Sequence, residues 1–138
     1  VAGGVDEKNA PLRTTEILDV ATMTFAPGPE ILTERYGCSA VALLEGNPVR
    51  RALIVGGCDD DDGNLNTTEV LDLDTMVFSP GPTMRTVRWG CAAVVILGGG
   101  DSRRRCLVIG GVDEDESEVN TTEVLDIETM EFTGGYGP

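Results

Sequence analysis

The sequence predicts an all-β fold of tandem four-stranded antiparallel sheets, and three observations carry that expectation. A segment of 12 residues recurs at a fixed interval, apolar runs of strand length end in paired glycines, and Pro-Gly-Pro punctuates the chain. TTEILDVATMTF (Thr14 to Phe25) returns as TTEVLDLDTMVF (Thr67 to Phe78) and TTEVLDIETMEF (Thr121 to Phe132), neighbours sharing 8 and then 9 of 12 positions. The interval is 53 and then 54 residues. Gly3-Gly4, Gly56-Gly57 and Gly110-Gly111 keep it, as do Arg35-Tyr36-Gly37-Cys38 and Arg88-Trp89-Gly90-Cys91.

Each unit reads as four short strands. From Trp89 onward, CAAVVIL is a continuous apolar run followed by the turn GGGDSRRR, and CLVIGG is a second run closed by glycines. Runs of this kind suit strands buried on both faces. After an acidic loop comes TTEVLDI, in which Thr122, Val124 and Asp126 alternate with Glu123, Leu125 and Ile127, and then TMEF, a short outer strand. Pro27-Gly28-Pro29 and Pro80-Gly81-Pro82 stop the fourth strand, because proline cannot donate to a ladder. The closing TGGYGP departs from that linker. The expected count is 11 strands in one repeat array, 1–138, divided into units 1–53, 54–107 and 108–138. That is just under three blades of a β-propeller, whereas closed propellers need about 4–8. The expectation is a partial propeller or an open stack that belongs to a longer array or an assembly, since an open end leaves strand edges and an apolar flank unpaired.

These residues resemble Kelch repeats. The resemblance rests on the double glycine ending strand two (Gly56-Gly57), on a large apolar residue seven places before an aromatic (Leu71 and Phe78), and on Arg-x-Gly leading into the next inner strand (Arg88-Trp89-Gly90). It spans essentially the whole chain, although leucine stands at 18, 71 and 125 where the family usually has tyrosine, and phenylalanine at 25, 78 and 132 where it has tryptophan. The resemblance implies tandem Kelch-like blades. It also implies a partner-binding face at the strand 4–1 linkers, where Arg35, Arg85 and Arg88 become interaction candidates, set against pairing with Asp or Glu of the adjacent loop. Some family members resemble sugar oxidases with a copper site of tyrosine and histidine, which a chain without histidine cannot build.

Composition excludes other functions. The 138 residues carry 24 acidic against 10 basic side chains, a net charge of −14, and no histidine. Such a surface repels a phosphate backbone, so no nucleic-acid partner is expected. Without imidazole there is neither a Ser-His triad nor a His-ligated metal site, and no residue takes a catalytic role. The longest apolar run, Cys91 to Leu97, is far shorter than the roughly 20 residues that span a bilayer, so no membrane insertion is expected.

The remaining charges segregate. Arg50, Arg51, Arg103, Arg104 and Arg105 lie in the strand 1–2 turns, while Asp59 to Asp62 and Asp113 to Glu118 fill the strand 2–3 loops at the other end. Opposed charge favours head-to-tail contact, with Arg103, Arg104 and Arg105 as further interaction candidates, set against plain solvated loops. Counting from position 58, Asp60, Asp62 and Glu69 take the third, fifth and twelfth places of an EF-hand-like loop, but Cys58 stands first and no helix flanks it. Loose attraction of calcium without a cage is the expectation. Asn66-Thr67-Thr68 and Asn120-Thr121-Thr122 are sequons for N-linked glycans. Cys38, Cys58, Cys91 and Cys106 allow two disulfides, with the within-hairpin pairs 38–58 and 91–106 as one of three connectivities, or four buried thiols. Together these features predict a non-enzymatic module of a secreted or cell-surface glycoprotein, acting in protein contact or self-assembly. The alternatives are an intracellular Kelch-like adaptor and a non-catalytic part of a longer propeller enzyme.

Overall fold

A computed structural model describes residues 1–43, 50–59, 63–97 and 103–136. The fold is all-β: β1 (Glu16–Asp19) and β2 (Thr24–Pro27) make a hairpin. β3 (Ser39–Leu43), β4 (Arg51–Val55), β5 (Thr68–Asp72) and β6 (Val77–Pro80) make a four-stranded antiparallel meander, and β7 (Ala92–Leu97), β8 (Arg104–Ile109), β9 (Thr122–Asp126) and β10 (Glu131–Tyr136) make another. The described residues thus hold ten strands in sheets of two, four and four, and these do not close a ring. The eleventh expected strand, before Gly3-Gly4, is reduced to a bridge between Ala2 and Thr15, with Glu16 N–H donating to Val1 O at 3.0 Å.

The recurring motif has a local cause in each unit. Leu18 faces Phe25, Leu71 faces Phe78 and Leu125 faces Phe132 across the ladders, so the seven-residue spacing is a cross-strand pair. In the turn between them, Oδ1 of Asp19, Asp72 or Asp126 accepts the backbone N–H groups two and three residues on. The chain then passes through a left-handed methionine, Met23, Met76 or Met130, at φ 55°, 57° and 55°. The N–H of Thr22 on Asp19, and that of Thr75 on Asp72, hold both carboxyls below the usual carboxylate range. Because these folded-state values are lowered, the stability they add is complete above the unfolded carboxylate pKa and is lost as pH falls through the lowered one. β2 and β6 end on Pro27 and Pro80, whereas β10, with no proline, runs on through a bulge to Tyr136.

The main core lies between the two meanders. Leu43, Leu53, Val55 and Val70 of the second sheet pack against Cys106, Val108, Leu125 and Ile127 of the third. A smaller cluster of Ile31, Ile54 and Phe78 lies on the other face of the second sheet, under the first hairpin. The run Leu53-Ile54-Val55 is therefore buried on both faces, as a continuous apolar strand should be. The third sheet is covered on one face only: Cys91 is buried but Val94 and Ile96 are exposed.

Candidate protein-contact face

The linkers into β3 and β7 converge with the loops after β4 and β8 at one end of the sheets. Tyr36 bridges Cys58, and Trp89 bridges Val112, so each linker is sewn to the loop of the sheet it leads into. Gly90 N–H donates to Gly37 O at 2.8 Å and joins the two linkers. The rings of Tyr36 and Trp89 then stand with centroids 6.4 Å apart and planes tilted by 54°. Together with Glu114 and Glu116 they line an open hollow of about 550 Å³. Aromatic faces beside carboxylates attract cations, through the ring quadrupole and through charge.

Beneath this face each meander is held by a buried ion pair. Arg35 and Arg88 have no exposed surface. Arg35 Nη2 lies 2.7 Å from Glu69 Oε1, and Arg88 Nε lies 3.4 Å from Glu123 Oε1. Each carboxylate also accepts two backbone N–H groups of the linker, from Leu32 and Thr33 on Glu69 and from Arg85 and Thr86 on Glu123. Each arginine donates in turn to a glycine and a threonine carbonyl, Gly56 and Thr67 or Gly110 and Thr121. The group is thus a latch from linker to third strand. Arg35 and Arg88 are accordingly not surface interaction residues, which corrects that expectation: a charge paired this fully is stable inside, and it offers nothing to a partner. The sequence offers Glu69 as a loose calcium ligand and Glu123 as a strand position, and the recurring Thr-Thr-Glu is the one sequence signal of their pairing with the linker arginines.

The other expected residues fall as follows. Arg85 is exposed, with its guanidinium against Gly134. Arg103 lies 3.8 Å from Asp126 and Arg50 lies 3.0 Å from Asp74, so arginines at the far end face aspartates of the 3–4 turns. Arg104 and Arg105 sit in β8 at that end, where Arg105 is the cross-strand partner of Asp126. Asp60 and Asp62 lie outside the described residues. Glu69 is engaged by Arg35 and two N–H groups, and the first acids of the loops, Asp59 and Asp113, accept loop N–H groups on Oδ1. Among the described residues no cluster of three or more His, Cys, Asp or Glu is placed to hold a metal.

Asn120 is exposed and Asn66 half-buried. Their threonines have structural work of their own: Thr67 and Thr121 accept from the latch arginines, and Thr68 Oγ1 donates to Pro82 O at 2.7 Å. All four cysteines are free thiols, so of the two outcomes the sequence left open it is the unbridged one that the fold shows. The ladders explain why: Cys58 stands opposite Tyr36 rather than Cys38, and Cys106 opposite Val95 rather than Cys91. Burial pushes the thiols of Cys38 and Cys91 up, and that of Cys106 to about 11, so they stay protonated. Comparison with known protein families and with curated proteins gives no match.

Proposed function

We propose that the chain is a non-enzymatic Kelch-like repeat module acting in protein contact or self-assembly, in a secreted or cell-surface glycoprotein. The observation that carries the contact role is the open hollow in which Tyr36 and Trp89 stand beside Glu114 and Glu116. It fits a partner that presents a lysine or arginine side chain. The Kelch-like reading is supported by a structural role for each motif residue: paired glycines at the end of the second strand, the cross-strand apolar and aromatic pair, and the Arg-x-Gly latch. A non-enzymatic role is supported by protonated, buried thiols and by latch carboxylates already saturated with donors.

Trp89 is the single tryptophan, so its fluorescence reports on this face alone. Titration with an Arg/Lys-rich peptide is expected to shift its emission and to saturate, with affinity falling as salt rises. Unchanged emission up to millimolar peptide overturns the contact role.

Four unpaired thiols favour one second reading, an intracellular Kelch-like adaptor, because reducing compartments keep cysteines free. The secreted placement then rests on the sequons. Chain isolated from its native source is expected to lose mass on treatment with an N-glycosidase; an unchanged mass supports the adaptor.

A further inference from the structure

One set of repeat-equivalent apolar residues is covered in the third and second units and bare in the first. Leu125 and Ile127 are 0% and 1% exposed, packed with Met130 and Phe132 against the second sheet. In the second unit Phe78 is buried and Leu71 and Met76 are half-buried, under a first sheet of only two strands that leaves an apolar cavity of about 180 Å³. In the first unit Leu18, Val20, Met23 and Phe25 are 37%, 76%, 69% and 55% exposed. The opposite side of the same interface is bare at the other end of the molecule. Val94, Ile96 and Ile109 of the third sheet are 43%, 39% and 43% exposed, whereas their equivalents Leu43 and Val55 in the second sheet are buried in the contact with the third.

The two bare faces are therefore the two halves of a contact this chain already makes internally. We propose that they join between copies: the first-unit face of one molecule packs on the third-sheet face of another, repeating the packing of the second sheet on the third. This rests on, and deepens, the self-assembly reading above. The contact is heterologous, with different surfaces on the two partners, so it propagates unless the rotation closes it. Two copies bring six sheets, within the about 4–8 that closed propellers use. A head-to-tail dimer is then the smallest assembly that can close.

The experiment is the solution mass of the full 138-residue chain, measured by light scattering at tens of micromolar, with the variants Phe25→Asp and Ile109→Asp. The chain has a mass of 14.6 kDa, and the expected result is twice that mass or a higher multiple. Each variant alone drops to monomer with an unchanged far-ultraviolet circular dichroism spectrum, since both side chains are exposed. Mixed one to one, the variants re-form a dimer, because each keeps the face the other has lost. A monomeric parent chain overturns the proposal; a variant mixture that stays monomeric, or a dimer that neither variant weakens, overturns the head-to-tail geometry. None of these outcomes touches the Trp89 titration, so the contact role at the hollow stands or falls separately.

Discussion

Glu123→Ala is expected to lower the stability of the chain by about 3–5 kcal/mol, the usual cost of leaving one member of a buried ion pair behind. Glu123 is 1% exposed and accepts from Arg85 N–H at 2.7 Å, Thr86 N–H at 3.0 Å and Arg88 Nε at 3.4 Å. Without it Arg88 keeps its bonds to the Gly110 and Thr121 carbonyls but has no counter-charge, and two linker N–H groups lose their acceptor. Single domains are stable by about 5–15 kcal/mol, so the loss is a large share of the total. Glu123→Gln keeps an acceptor for the linker and is expected to fall between alanine and the parent. Glu16 holds the same place in the first unit but is exposed, and Glu16→Ala should stay within about 0.5 kcal/mol of the parent. Urea unfolding followed by circular dichroism measures all three. Equal shifts for Glu16→Ala and Glu123→Ala would show that the latch contributes nothing beyond strand propensity.

Gly56→Ala is expected to cost about 2–5 kcal/mol, from roughly 1–2 for a left-handed alanine and about 1–3 for overpacking. Gly56 has φ +60°, and an added Cβ would lie 2.2 Å from Arg88 O. That carbonyl also accepts Gly57 N–H at 2.9 Å, so moving it disturbs the next linker and its latch. Gly110 is the matched control: its φ is +64°, but the nearest atom to an added Cβ is Val119 O at 3.6 Å. Gly110→Ala should therefore cost only the roughly 1–2 kcal/mol of backbone strain. Thermal midpoints of the two variants test this, and a Gly110→Ala as damaging as Gly56→Ala would remove the steric argument.

The repeat made most of the fold legible. Apolar runs, glycine pairs and proline stops located the meanders, because each signal is local and occurs more than once. What spans two distant segments was not legible. Arg35 and Glu69 are 34 residues apart, and an arginine beside a loop reads as a surface charge until a partner across the sheet is known. The cysteines left two outcomes open for a related reason: an even count allows pairs, but the ladder register sets who faces whom, and it offsets Cys58 from Cys38 and Cys106 from Cys91. The sequon threonines are the converse case, residues that read as a modification signal and also bind the latch arginine and the proline linker. Tyr36 and Trp89 were legible as repeat landmarks, but their meeting in one hollow depends on two linkers lying side by side.

The latch also sets how such a chain can change length during evolution. Each arginine finds its glutamate further along the chain, in the meander its linker leads into, 34 residues on for Arg35 and 35 for Arg88, and never in the sheet before. Duplicating or deleting one whole period of 53 or 54 residues leaves every remaining pair intact, wherever the cut falls between one glutamate and the next arginine. A change of half a period strands a buried charge. Insertions and losses in whole periods are therefore the mutational steps this architecture tolerates.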